Sequence, residues 1–141
     1  MLLADVNILV YAFRPDSAWH AHCRPWLEKL VTGDERFAIS ELVLSGFLRV
    51  VTHQRIFNPP EPWESALSFA DSLRASPLAM QVAPGPRHWT IFTRLCAAAH
   101  ARGGLVADAY LAALAIESGC EWVTTDGDFA RFPGLRWRRP F

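Results

Sequence analysis

Short apolar runs alternate with stretches of helical spacing along this chain, and together they predict an α/β arrangement. Met1–Ala4 reads as a buried strand that starts almost at the first residue. Val6–Phe13 is apolar behind Asp5 and Asn7, both good N-cap residues, so a helix is predicted there. From Asp16 to Leu30, the residues Trp19, Cys23, Trp26, Leu27 and Leu30 share one helical face, and Thr32, Gly33 and Asp34 close it. Phe37–Ile39 predicts a second strand, followed by a helix capped by Ser40 and running through Leu42, Leu44, Phe47 and Val51. A break at Asn58, Pro59, Pro60 and Pro62 precedes a helix from Trp63 to Leu73. Leu78–Val82 reads as a third strand between prolines, and a helix from about Pro86 to Ala101 ends at Gly103 and Gly104. Asp108–Ile116 reads as a small, very apolar helix closed by Gly119. Glu121–Thr125 is a fourth strand and Leu135–Trp137 a short fifth.

Strands alternating with helices argue for one α/β domain over residues 1–141, with a parallel sheet and helices on both faces. No repeat, linker or low-complexity tract divides it. A chain of 141 residues, 51% hydrophobic and with six tryptophans, is large enough to bury a substantial core. Charge balances, fourteen Lys plus Arg against fourteen Asp plus Glu, so no global basic signature marks a nucleic-acid binder. If the acids gather inside, however, the remaining surface is correspondingly basic. Cys23, Cys96 and Cys120 lack CxxC spacing, which argues against a disulfide framework or structural zinc and for a reducing cytoplasm. No apolar stretch approaches the ~20 residues of a membrane span.

Four acids change the picture. Asp5, Glu41, Asp108 and Asp126 each follow an apolar run, in MLLAD, FAISE, GGLVAD and EWVTTD. In open parallel sheets, ligands bind at the carboxyl ends of strands, where strand order reverses. Asp5 is placed at the end of strand one, Glu41 after strand two, Asp126 at the end of strand four, and Asp108 at the head of the helix before it. Two carboxylates ~5 Å apart repel by roughly 3 kcal/mol at an effective dielectric near 20. Protonation or a bound cation must relieve such a cluster, and oxygen-only ligands select Mg²⁺ or Mn²⁺ over zinc. Each acid alone also has a bland explanation, as a helix cap, a dipole partner or a turn residue.

The segments LLADVNILVYA, SELVLSGFLRVVT and GLVADAYLAALAIESGCEWVTTDGDFARFPGLRW resemble the PIN-domain ribonucleases, and within them the VapC-type toxins of toxin–antitoxin modules. The resemblance covers essentially the whole chain, least in the middle third. It implies a five-stranded parallel sheet with helices on both faces and an acidic pocket for Mg²⁺ or Mn²⁺. It matches Asp5, Glu41, Asp108 and Asp126 to the family's acidic set and Asp128 to a further acid. Thr124 matches a hydroxyl residue able to orient carboxylates, and Asn7 a position that supports Asp5.

On that resemblance, the chain is expected to be an endoribonuclease in which Asp5 and Asp108 bind a first cation, Asp126 completes that site or bridges to a second cation, and Glu41 holds or polarises the attacking water. It further implies RNA as substrate, a VapB-type antitoxin as partner, and a homodimer. Trp19, Trp26, Phe47 and Phe57 are candidates for an antitoxin groove, although core packing is the stronger reading for them. Arg14, Arg49, Arg55 and the cluster Arg136, Arg138, Arg139 are candidate RNA backbone contacts.

The alternative from another class is a binding subunit acting mainly as antitoxin partner and co-repressor, without intrinsic cleavage. A haloacid-dehalogenase-type phosphatase would carry a second Asp where Asn7 stands. That class and a receiver domain would also need a late lysine, and the only lysine is Lys29. His20, His22, His53, His88 and His100 lack metal-ligand spacing and are assigned surface or helix-end roles.

Overall fold

The strands of the computed structural model, which describes residues 1–141, are short, and all five lie parallel in the order β3-β2-β1-β4-β5. The elements are β1 (Leu2–Ala4), α1 (Val6–Phe13), α2 (His20–Thr32), β2 (Phe37–Ile39), α3 (Glu41–Val51), α4 (Trp63–Arg74), β3 (Ala79–Gln81), α5 (His88–Ala99), α6 (Gly104–Glu117), β4 (Glu121–Val123) and β5 (Trp137–Arg138), with a 3-10 turn over Gly127–Arg131. From β1 the chain moves outward through β2 to β3, returns to β4 on the other side of β1, and finishes at β5. Right-handed crossovers therefore put α1–α4 on one face and α5 and α6 on the other. The packing agrees, since α1 contacts α2 and α3, α3 contacts α4, and α5 packs on α6. Strand order reverses between β1 and β4, and the carboxyl edge at that point is where a doubly wound sheet opens a crevice.

The helices form for reasons visible in their sequences. Asp5 caps α1 by accepting from the Val6 amide at 2.6 Å, and Ser40 caps α3 by accepting from Leu42 at 3.2 Å. Val43, Leu44, Phe47 and Val51 are the buried stripe of α3. In α6 the small residues Ala109, Ala112, Ala113 and Ala115 are all fully buried, which lets this helix sit close against the sheet and α5. The main core joins both helical layers through the sheet, with Trp122 of β4 at its centre packed on Phe129.

Three boundaries differ from the sequence reading. The helix expected from Asp16 begins only at His20, because Arg14 pairs with Asp16 and the Ser17 hydroxyl donates to the Arg14 carbonyl, closing a turn first. The pair Gly103–Gly104 starts α6 and does not end α5, which stops at Ala99 with His100 as its left-handed cap at φ 49°. Gly103 takes φ +54°, so α6 begins four residues before Asp108. The β4 ladder stops at Val123, and Asp126 lies in the following turn rather than at the strand's end. No helix is long and apolar enough to cross a membrane.

Candidate acidic site at the carboxyl edge

Asp5 leaves β1 at the centre of the sheet, between β2 and β4, and is only 6% exposed. One carboxylate oxygen caps α1. The other accepts from the Thr124 hydroxyl at 2.7 Å. Thr124 continues the β4 line, its amide bonding to the Arg138 carbonyl, so it stands beside Asp5 in register. Its hydroxyl oxygen also accepts from the Asn7 side-chain amide at 3.3 Å and from the Asp126 backbone N–H at 3.0 Å. One hydroxyl thus ties together Asp5, Asn7 and the turn that carries Asp126. Asp126 caps the 3-10 turn by accepting from the Asp128 N–H at 2.9 Å, which sets Asp128 beside it.

The electrostatics single out two carboxyls. Burial, then the charges of Asp108 and Asp126, push Asp5 up from 3.8 to about 6, against the lowering effect of its hydrogen bonds from Thr124 and Val6. Burial, then Asp126 and Asp128, likewise push Asp108 up to about 6. Asp108 has no partner to offset this: it sits in the second turn of α6, past the uncompensated N–H groups, and accepts no hydrogen bond. Asp5, Asp108, Asp126 and Asp128 therefore share one field. Even so, no three His, Cys, Asp or Glu side chains converge to coordination distance.

Glu41 stands apart from this group. It is exposed at the first position of α3 and has neither an ion pair nor a hydrogen bond. Its place on the same edge follows from the sheet register. Leu3 pairs with Ala38, so Asp5 and Ser40 are level and Glu41 is one residue beyond. It lines a cavity of about 570 Å³ with Ser40, Arg74 and Gln81.

The candidate RNA-contacting arginines are dispersed. Arg14 is held by Asp16 in a two-pronged pair, by Glu61 at 3.0 Å, and by the Phe57 ring beneath its guanidinium, which makes it a brace for the loops around α1. Arg49 and Arg55 are exposed. In the C-terminal cluster, Arg136 donates to the Gly119 carbonyl and Arg138 pairs with Glu121, whereas Arg139 donates to the Thr125 carbonyl at 2.8 Å, against the acidic turn. Among the groove candidates Phe47 is fully buried and Trp26 packs on the core, while Trp19 is exposed beside His22 and Phe141. His88 takes the helix-end place expected for it, at the head of α5, but is buried there and bonded to the Tyr110 carbonyl. Ser40 and Arg139 are two neighbours of the acids that local sequence pattern did not assign to the site. The parallel register of β1 with β2 and of β4 with β5 brings them there.

A parallel sheet carrying a buried carboxylate at its switch point, with Asp108 and Asp126 bearing on it and Asp128 on Asp108, defines a nuclease-like α/β domain. The chain belongs to the PIN domain family, whose profile matches residues 2–135. Ribonuclease VapC43 of Mycobacterium tuberculosis is 46% identical over 99% of this chain and 95% of its own length. Ribonuclease VapC25 of the same organism is 42% identical over 99% of both. The fold recurs in VapBC2 from Rickettsia felis bound to a DNA fragment from their promoter, with TM-score 0.70, 21% identity and 96% of each chain covered. It recurs also in Mycobacterium tuberculosis VapC20, a sarcin–ricin loop cleaving toxin, with TM-score 0.67, 17% identity, and 96% of this chain and 99% of that one covered.

Proposed function

We propose that this protein is an endoribonuclease of the VapC type, dependent on Mg²⁺ or Mn²⁺ and restrained by a cognate VapB-type antitoxin. The observation that carries the reading is the shared field of Asp5, Asp108, Asp126 and Asp128, which lifts two carboxyls to about 6. Close relatives named ribonucleases along the whole chain support the activity. Solved VapBC structures with this fold make an antitoxin partner the natural expectation.

The residues fit a hard divalent cation. Their donors are carboxylate oxygens, and the Asn7 side-chain oxygen is buried beside Asp5 with no hydrogen-bond partner, placed to accept from a ligand water. Asp5 and Asp108 would hold the ion, Asp126 would complete its shell, and Asp128 would add charge from the adjoining turn. When bound, the cation neutralises the carboxylates and the charge that develops on the phosphodiester oxygens.

The chain's own groups supply the rest. Thr124 and Asn7 fix the Asp5 carboxylate. Glu41, free of partners, accepts a proton from the attacking water as the phosphodiester is cleaved to a 5′-phosphate and a 3′-hydroxyl. Arg139 steadies the turn bearing Asp126 and Asp128. A binding-only role in antitoxin capture and co-repression needs none of these acids and does not account for the burial and mutual repulsion that raise Asp5 and Asp108.

The test is cleavage of total cellular RNA by purified, antitoxin-free protein. Cleavage should need added Mg²⁺ or Mn²⁺ and be abolished by EDTA or by Asp108→Asn. Cleavage that survives either treatment would sink the mechanism, and no cleavage with either metal would favour the binding-only role.

A further inference from the structure

We propose that the cleft beside Glu41 is a subsite for a nucleotide adjoining the scissile bond of a single-stranded RNA, with Arg74 contacting its phosphate. The assignment deepens the ribonuclease reading above and rests on it. Two adjoining cavities, of about 570 and about 190 Å³, both have Glu41, Ser45 and Arg74 in their walls. The larger one opens at the carboxyl end of the edge strand β3, with Gln81 on its wall. Ser40, level with Asp5 on the neighbouring strand, also lines it, so the cleft lies on the same edge of the sheet as the acids.

Charge and hydrogen bonding point to the occupant. Arg74 at the end of α4 has no ion pair and no hydrogen bond, like Arg49, Arg55 and Arg94, and of these four only Arg74 lines the cavities that Glu41 lines. Asp71 lines the smaller cavity without pairing with Arg74. Glu41 faces the same space and is equally unpaired. An arginine and a glutamate that share a cavity without closing on each other leave the guanidinium for a phosphate and the carboxylate for water. The N-terminus of α3 adds positive potential on the same side.

The remaining lining suits a nucleoside. Gln81 is exposed with a free side-chain amide that can donate to and accept from a base edge. The Ser45 hydroxyl donates to the Leu42 carbonyl at 3.1 Å and keeps its lone pairs for a ribose hydroxyl. A cleft of about 570 Å³ is of ligand-pocket size and takes a splayed nucleotide rather than a duplex.

The experiment uses the full chain and a short fluorescein-labelled single-stranded RNA of mixed sequence. Binding is followed by anisotropy in EDTA across a salt series, and cleavage of the same RNA is followed with Mg²⁺ or Mn²⁺. Arg74→Ala should weaken binding about tenfold and make the slope of log K against log salt shallower by ~0.7, one phosphate contact on a single strand. It should raise KM with little change in kcat, as expected for loss of binding made equally in ground and transition states. Arg74→Lys should restore the slope but not the full affinity, because a point charge replaces a planar fork. Gln81→Ala should lower affinity and leave the slope alone.

Unchanged affinity and slope in Arg74→Ala, with an unaltered melting curve, would overturn the assignment. So would a polyglutamate peptide that binds through Arg74 more tightly than the RNA does, since the cleft would then belong to an acidic protein partner. Wild-type binding that needs Arg74 without any metal-dependent cleavage would support the nucleotide cleft and defeat the ribonuclease reading. Cleavage untouched by Arg74→Ala would defeat the cleft alone.

Discussion

Replacing Asp5 with asparagine should make the metal-free protein more stable at neutral pH while destroying its cation site. Asp5 is raised from 3.8 to about 6, chiefly by burial. At 1.36 kcal/mol per pH unit, ionising it in the folded chain withholds about 3 kcal/mol of folding free energy at neutral pH. Asparagine removes that penalty. Its oxygen can still cap Val6, but its amide must face Thr124 in place of an acceptor, a mismatch worth about 1 kcal/mol. The expected net gain is about 2 kcal/mol.

The pH dependence follows from the direction of the shift. The folded protein holds the Asp5 proton more tightly than the unfolded chain, so that contribution is complete below about pH 4 and lost as pH rises through about 6. The variant's advantage should therefore be absent or slightly reversed in acid and full above about pH 7. Urea unfolding followed by tryptophan fluorescence in EDTA measures it directly. Adding a divalent cation should reverse the order, because at a hundredfold excess over Kd the wild type gains about 2.7 kcal/mol that the variant cannot. An Asp5→Asn protein less stable than wild type at neutral pH in EDTA, or a difference that ignores pH, would refute the argument.

Glu41→Gln should leave stability within about 0.5 kcal/mol, since the side chain is exposed and unpartnered, yet lower metal-dependent cleavage by about 10²-fold. A melting curve and a cleavage assay check both, and wild-type cleavage rates would remove Glu41 from the mechanism. Thr124→Val strips the hydroxyl shared by Asp5, Asn7 and the Asp126 N–H, so it should cost about 1–3 kcal/mol. It should also move the acidic limb of the pH–rate profile upward, and an unmoved limb would count against Thr124 as the support of Asp5. Arg139→Ala frees the Thr125 carbonyl and loosens the Asp126 turn. Divalent affinity measured by calorimetry should fall about tenfold with little change in melting temperature, and an unchanged Kd would make Arg139 merely a surface residue.

The acids were legible in the sequence because each is punctuated by its own strand or turn. MLLAD places Asp5 at a strand end by its apolar run alone, and Ser40 announces α3 by its capping chemistry. Asp108 was harder. The apolar helix around it gave no sign that it began at Gly104, because Gly103–Gly104 reads as a helix stop, whereas His100 in the left-handed conformation ends α5 and Gly103 starts α6. Trp19, Trp26, Phe47 and Phe57 could not be sorted by type, as burial depends on which face meets a neighbour. Arg14 shows the same limit: as sequence it is a free cation, and only the fold reveals Asp16 and Glu61 closing on it.

By itself, the sequence determined the alternation of strands and helices, the caps that start α1 and α3, and which acids become candidates for one site. These are local properties, set by hydrophobic period, capping groups and turn residues within a few positions of one another. Tertiary structure decided how the acids divide. It buried Asp5 between two strands and tied it to Thr124 across the sheet, 119 residues away. It set Asp108, Asp126 and Asp128 in one field, and left Glu41 across the edge facing Arg74. Sheet register, burial and the dielectric around a carboxylate depend on residues distant in the chain, and the site's chemistry is set by those quantities.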